Sequence, residues 1–370
     1  MLLAHKIELR PTPEQATYLD KACGSRRHCY NQLLAHFSKQ ENKWSKSFAY
    51  QYYIKIIRPE FDWYTEVSSR VTRNAIDDLD NAFKHFFRRI KAKKKAGFPR
   101  FKRKDVKDSF ALREKAKFNV NGRLLRIEKL KTKIKMRQYL RFEGQTKQVT
   151  ISKRAGKYFA SILVETQQYN PKDINRQPNV GVDFGIKELA TLSNGVVFGA
   201  NQKLKANLKK LKKTQQNLSQ KQKGSNRRAR AKLKVAKLHF RISNQRQAVL
   251  HQLSDYLTSH FDRIVIEDLN VKGMVKNHKL ARSISDAGFG YLRQQIEYKG
   301  KLRNCEVVIA NRFFPSSKTC SACGSIKKEL SLSERTYHCD CGLEIDRDLN
   351  AAINLKNYGE DTLQPTAKRT

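Results

Sequence analysis

Four cysteines near the carboxyl end constrain this chain more than any other feature. They read Cys320-x-x-Cys323, fifteen residues, then Cys339-x-Cys341. Each short pair can bite one face of a tetrahedral ion, and the spacer folds as a knuckle or ribbon. Gly324 and Gly342 follow the second cysteine of each pair and suit the tight turns there. The set predicts one structural Zn²⁺ on Cys320, Cys323, Cys339 and Cys341, with no position left for substrate. His338 is adjacent but not needed as a ligand. The remaining cysteines, Cys23, Cys29 and Cys305, stand apart and make the total odd. That argues for metal binding plus free thiols in a reducing compartment, not disulfides.

Charge bounds the partners. The 370 residues, enough for two or three domains, carry 76 Lys and Arg against 34 Asp and Glu, a net charge of +42. Such a chain repels itself, and a bound polyanion relieves the repulsion. Nucleic acid is the first candidate and an anionic membrane surface the second. Hydrophobic residues reach 39%, enough for packed cores. No apolar stretch is long enough for a transmembrane helix. His5, Lys6, Glu8 and Arg10 break any signal-peptide core at the start.

The patterning is mixed α/β. Residues 4–10 read as a strand, and Thr12-Pro13 opens a helix that continues to about Phe37. A second helical pattern spans about Ser68 to Lys95, with Val71, Ala75, Leu79, Ala82, Phe83 and Phe86 on one face. Lys84 to Lys104 holds eleven Lys and Arg and no acid, and Gly97 and Pro99 make part of it a loop. Residues 109–165 turn strand-like, and YNPKDINRQPN reads as a linker. GVDFGIKELATLSNGVVFG then reads as three strands with an Asn194-Gly195 hairpin turn. Two long basic helices follow, about Lys203–Gly224 and Asn226–Leu257. FDRIVIEDL and CEVVIA read as strands, 285–303 as a helix, and a last helix starts near Asp348.

Three acids sit where desolvation is costly. Asp183 lies in a buried strand, Glu267 ends the apolar strand Ile264-Val265-Ile266, and Asp348 opens the last helix. Taken singly, a strand-end acid is often a cap or an ion-pair partner. Brought together, three carboxylates can hold two divalent ions for phosphodiester displacement, and their hard oxygens suit Mg²⁺ or Mn²⁺.

The order of these motifs carries a resemblance. Gly181–Leu189 (GVDFGIKEL), Ile264–Leu269 (IVIEDL), Ser283–Gly288 (SISDAG), Phe314–Gly324 (FPSSKTCSACG) and Cys341–Asn354 (CGLEIDRDLNAAIN) occur in sequence. LRPTPEQ, Tyr30-Asn31, NAFKHFF and AGFPRFKRK precede them. Over about residues 2–356 the chain resembles the TnpB family, transposon-encoded RNA-guided nucleases related to type V CRISPR effectors. The resemblance implies an α/β multidomain protein: a wedge-like β-barrel over 1–10 and 105–170, interrupted by a helical recognition lobe over 11–104. It further implies a RuvC (ribonuclease H-like) core over 175–312 and 344–358, with a helical insertion at about 203–257. A zinc-binding segment at 313–343 and a flexible tail at 359–370 complete the expected layout.

The same resemblance implies catalytic acids at Asp183, Glu267 and Asp348, with Asp346 a rival for the third place, and two Mg²⁺. Cys339-x-Cys341 has one intervening residue where many members have two, and both spacings chelate. It implies a guide RNA from the transposon end and target double-stranded DNA as partners, with no membrane, in a prokaryotic cytoplasm beside the nucleoid. Whether the protein works as a monomer or a dimer on RNA stays open. Target-motif reading maps to Phe48, Ser69, Arg73 and Asn74, with Phe110–Leu112 nearby. An Arg pairs bidentately with guanine and an Asn with adenine. No acid occurs from Leu189 through Ser254, which marks the insertion as a nucleic-acid surface. Candidate backbone contacts are Lys102, Lys209, Lys210, Arg227, Arg228 and Arg241. A guide-dependent repressor without cleavage and a strand-joining transposase are the rival functions; the intact acids speak against the first.

Overall fold

The structure, a computed structural model, describes residues 1–39, 41–167, 175–199, 202–331 and 333–361. The chain divides into two compact units, Met1–Gln168 and Tyr169–Thr370. Much of the expected linker, at 168–174, and most of the expected tail, at 362–370, lie outside the described residues.

The first unit opens with β1 (Leu2–Arg10) and α1 (Pro13–Phe37). Thr12 Oγ1 accepts from the Gln15 amide at 3.3 Å, and Gln15 Oε1 accepts from the Thr12 amide at 3.0 Å. This reciprocal box satisfies two donors at the helix start. Then come α2 (Lys46–Tyr52), a π-helical turn at Tyr53–Ile57, α3 (Arg58–Glu60) and α4 (Ser69–Lys91). These helices share a core that includes Leu33, Leu34, Ile57, Leu79 and Phe83. The helix expected to run on to Lys95 stops at Ala92, because Lys93 takes φ 51° and the lysines after it offer no face to bury.

The rest of this unit is sheet: β2 (Ser109–Leu112), β3 (Phe118–Asn121), β4 (Leu124–Ile127), β5 (Ile134–Met136), β6 (Gln145–Arg154) and β7 (Lys157–Glu165). With β1 they form a seven-stranded antiparallel sheet in the order β2-β6-β7-β1-β5-β4-β3. It is nearly closed and barrel-like, lined by alternating side chains such as Phe110, Leu112, Leu125, Ile134 and Ile151.

The second unit starts with β8 (Gln177–Asp183), β9 (Glu188–Leu192) and β10 (Val197–Gly199), an antiparallel meander that turns with Gly195 at φ 83°. The basic hairpin α5 (Gln202–Ser219) and α6 (Asn226–His260) follows, zipped by Leu211, Val235, Leu238 and Ile242. Next come β11 (Phe261–Glu267), α7 (Val271–Met274), α8 (Ala281–Ala287), α9 (Phe289–Arg303) and β12 (Glu306–Ala310). Gly288 at φ 70° divides α8 from α9, where the sequence suggested one helix. The hairpin β13 (Thr336–His338) with β14 (Glu344–Asp346) leads into α10 (Arg347–Asp361). The main sheet runs β10-β9-β8-β11-β12, with β11 parallel to both of its neighbours.

Alternation along β11 separates two cores. Ile264 and Ile266 face Leu253, Leu257, Leu292 and Ile296 of α6 and α9, whereas Val265 faces Leu355 of α10 with Ala310. The α10 helix crosses β8 at Gly181, where a Cβ would collide with the Ala352 carbonyl oxygen and the Lys356 amide nitrogen. Gly181→Ala should therefore push α10 off the sheet. We expect a loss of about 1–3 kcal/mol, read as an earlier denaturation midpoint. An unchanged midpoint would exclude this close packing. Among the described residues, no helix is long and apolar enough to cross a membrane.

Candidate active site and metal centre

Parallel pairing assembles the acids. Val182 on β8 pairs with Ile266 on β11, so Asp183 and Glu267 sit one residue further along neighbouring strands, at their carboxyl ends. In parallel sheets that edge is where ligands bind. Asp348, in the first turn of α10, joins them on the wall of one cavity of about 890 Å³. Burial pushes the Asp183 carboxyl well above its usual range, and the nearby Glu267 and Asp348 charges push it further, while Arg347 opposes them. A cation would relieve that repulsion, so this hard-oxygen donor set fits a divalent ion such as Mg²⁺ or Mn²⁺.

The acids next to these do other work. Asp346 Oδ1 accepts from the amides of Asp348 at 2.9 Å and Leu349 at 3.0 Å, capping α10. Asp268 is held by Arg293 at 2.6 Å and by Arg312, which together pull its carboxyl below its usual value. Neither lines the cavity.

Sequence reasoning missed the support behind Glu267. Ser316, 4% exposed, donates from Oγ to Glu267 Oε1 at 2.6 Å. Buried Asn354 donates to the carbonyls of Ser316 at 2.8 Å and Thr319 at 2.7 Å. Buried Asn350 donates to Thr319 O at 2.7 Å and accepts from the Ser321 amide at 3.0 Å. The only signal in the sequence was that two amides stand four apart on the helix facing FPSSKTC. Ser283 and Asp286 of the SISDAG motif also line the cavity, and Asp286 pairs with Arg246.

The four cysteines do meet. Their Sγ atoms all lie within 4.8 Å of one another, with Cys320–Cys341 and Cys323–Cys339 both at 3.6 Å. A tetrahedral ion with Zn–S bonds of about 2.3 Å spaces its sulfurs by about 3.8 Å, so the set fits zinc. Gly324 at φ 77° and Gly342 at φ 91° make the two turns. The Ser325 hydroxyl pulls the Cys323 thiol below its usual value, while the neighbouring thiols push that of Cys341 above it. His338 points to Glu344 at 3.7 Å and is outside the cluster. Cys23, Cys29 and Cys305 are buried, and desolvation raises their thiols.

The nucleic-acid candidates fare differently. Phe48 is exposed, Ser69 is exposed at the start of α4, and the exposed Arg73 lies over the Tyr50 ring at 4.9 Å. Asn74 is not presented to solvent: it is 8% exposed and its amide donates to Ala111 O at 2.9 Å. Lys102 turns inward over the Tyr30 ring at 3.8 Å, and desolvation lowers its ammonium to about 8. Arg228 spends its guanidinium on the carbonyls of Leu218 and Lys221, stapling the hairpin turn. Lys209, Lys210, Arg227 and Arg241 are exposed on α5 and α6. Phe110 and Leu112 belong to the barrel core.

Known proteins resemble this chain in sequence and fold. Residues 161–278 match the OrfB family of IS605, described as "Probable transposase", and residues 289–355 match the Cas12f1-like TNB domain. Residues 1–43 match a helix-turn-helix description, although here they form a strand and one 25-residue helix. A protein of Streptomyces pristinaespiralis is 34% identical over 96% of this chain and 89% of its own length. InsQ of Escherichia coli K12 is 31% identical over 98% and 93%. Both carry the provisional name RNA-guided DNA endonuclease. The fold is similar to that of Cas12f1 in a complex with single-guide RNA and target DNA, with a TM-score of 0.56 at 15% identity, covering 93% of this chain and 83% of that one.

Proposed function

Because this chain belongs to the TnpB family, we propose that it is an RNA-guided DNA endonuclease of a transposon. It would cut double-stranded DNA at guide-matched sites beside a short adjacent motif. The observation that carries this reading is the convergence of Asp183, Glu267 and Asp348 on one cavity. The strand order β10-β9-β8-β11-β12 supports a RuvC, ribonuclease H-like core.

Asp183, Glu267 and Asp348 would hold two Mg²⁺, which when bound supply an activated water and neutralise the leaving 3′ oxygen. The protein's own part is placement. Ser316 fixes one oxygen of Glu267, and Asp346 fixes the first turn that carries Asp348. Arg246 and Arg347 line the cavity, and both Nε atoms are buried without a partner among the described residues. They are donors suited to a phosphodiester. Cys320, Cys323, Cys339 and Cys341 would hold one structural Zn²⁺ that locks the knuckle against α10.

The test is plasmid cleavage with a randomised target flank, the protein being coexpressed with DNA downstream of its gene. Mg²⁺-dependent hydrolysis at guide-matched sites supports the reading. Guided binding without cutting would move it to a repressor, and strand-joined products to a transposase. Within the same assay, Ser316→Ala should slow cutting about tenfold, the loss of one hydrogen bond to a charged group, and raise the Mg²⁺ needed. Ser316→Thr keeps the hydroxyl and should retain most activity. Equal Mg²⁺ titrations for wild type and Ser316→Ala would exclude the role.

A further inference from the structure

The end of α4 and the segment that follows it carry a surface that has no part in the lining of the three-acid cavity. Of its eleven cations from Lys84 to Lys104, Lys84 pairs with Asp80 and Lys102 turns onto Tyr30. The other nine are exposed and make no ion pair among the described residues. Elsewhere in this unit a share of the cations is matched, as Arg26 is to Asp78, Arg27 to Asp108, Arg113 to Asp77 and Lys153 to Asp20, whereas exposed Lys131, Lys133 and Lys135 are unmatched but have no such cluster of exposed rings among them. Unmatched charge at this density lacks a counter-anion.

Large rings are exposed among these cations. Phe87 is 51% exposed, Phe98 45% and Phe101 55%. They are not loose. Phe87 stacks on the buried Phe83 at 6.0 Å, and Phe98 meets Phe83 and Phe86 edge-on at 5.6 and 5.3 Å. Phe101 precedes Lys102, whose backbone is clasped from both sides by Asn31: the Lys102 amide donates to Oδ1 at 2.8 Å and its carbonyl accepts from Nδ2 at 3.0 Å. A solvated basic face does not need rigidly propped, exposed rings. A protein partner would not need nine unmatched cations.

We propose that this surface is a stacking platform for unpaired RNA nucleotides. Phe87, Phe98 and Phe101 take base faces, and the surrounding Arg and Lys take phosphates. Every base has a π-face, so the recognition is tolerant of sequence. A duplex keeps its base faces stacked inside and cannot use the rings. RNA is favoured over DNA because, on the RNA-guided reading, on which this inference rests, the guide is the resident polyanion. A resident partner relieves the patch's self-repulsion throughout, whereas target DNA only visits.

The test uses the full chain freed of copurified nucleic acid, with fluorescein-labelled oligoadenylate RNA, the matching DNA strand and an RNA duplex. The variants are Phe87→Leu and Phe101→Leu, which remove the ring but keep apolar bulk; Phe98 is left alone because it props Phe83 and Phe86. Each Leu variant should weaken unpaired RNA binding at least about fivefold, the low end for one stacked base, and the Tyr variants should restore it. The slope of affinity against salt should not change, because the same phosphates stay neutralised. Arg88→Ala/Arg89→Ala should instead flatten that slope by about 0.7 for each phosphate no longer neutralised.

Wild-type RNA affinity in both Leu variants overturns the proposal, as does equal loss on the duplex, a preference for the DNA strand, or a changed oligomeric state without changed RNA binding. The function is tested separately by guided cleavage with the wild-type chain. If wild type cuts no guide-matched DNA but the Leu variants lose RNA affinity, the platform stands and the nuclease reading falls. If wild type cuts and the Leu variants bind normally, the platform falls alone.

Discussion

Asp183→Asn is expected to abolish guided cleavage, by at least about a thousandfold, while making the metal-free protein more stable. The first effect follows from the proposed function, in which the three carboxylates hold the metal as one unit. Removing one member of such a unit costs about as much as removing several, so Glu267→Gln and the Asp183→Asn/Glu267→Gln double variant should show the same residual rate. The second follows from the electrostatics. Burial and two neighbouring carboxylates disfavour the charged form of Asp183 in the folded chain. A neutral amide of the same shape removes that repulsion. Cleavage rates and metal-free thermal melts of the same preparations check both. A variant that cuts like wild type, or one that melts earlier without metal, would break the assignment of Asp183 as a metal-holding acid.

Removing the cysteine-bound metal is expected to have the other large effect. Structural zinc in small domains contributes on the order of 10 kcal/mol to local folding, and the 320–341 segment has little else: Tyr337 is its one large fully buried side chain among the described residues. Cys320→Ser/Cys341→Ser should release the knuckle to protease. It should also stop cleavage with Mg²⁺ present, because Asn350 and Asn354 tie the knuckle to α10 and Ser316 ties it to Glu267. Elemental analysis should find one zinc per wild-type chain and none in the variant. For chelated wild type, Mg²⁺ alone should not restore cutting, whereas Zn²⁺ followed by Mg²⁺ should. A zinc-free variant that cuts at the wild-type rate would separate the two centres.

Some of this was legible in the amino-acid order and some was not, for reasons that differ residue by residue. The pairing of Cys320 with Cys323, and of Cys339 with Cys341, is local, and spacing alone suits each pair to bite one ion. The Thr12 cap and the Asn194-Gly195 turn are local too, and the backbone follows them. The acids were legible as residue types, but only folding shows that the Asp348 carboxylate lines the cavity while Asp346 caps α10 close enough to act on Asp183 as well. Asn74 was a motif-reading candidate only through the resemblance, and folding buries it to 8% exposure with its Nδ2 donating to the Ala111 carbonyl. Ser316 and Asn354 gave no warning, since a hydroxyl or amide gains its role only from what folding places opposite it.

The sequence by itself determined the paired cysteines, the boundaries of most helices and strands, the excess of positive charge and the motif order of the family. The tertiary structure alone decided which acids meet, what orients them and which cations stay free. The physical reason is range. Chelate spacing, capping and net charge are properties of a few neighbouring residues or of the whole composition. The meeting of Asp183 with Glu267 needs two strands far apart in the chain to pair in parallel, and that of Asp348 with both needs α10 to settle on Gly181.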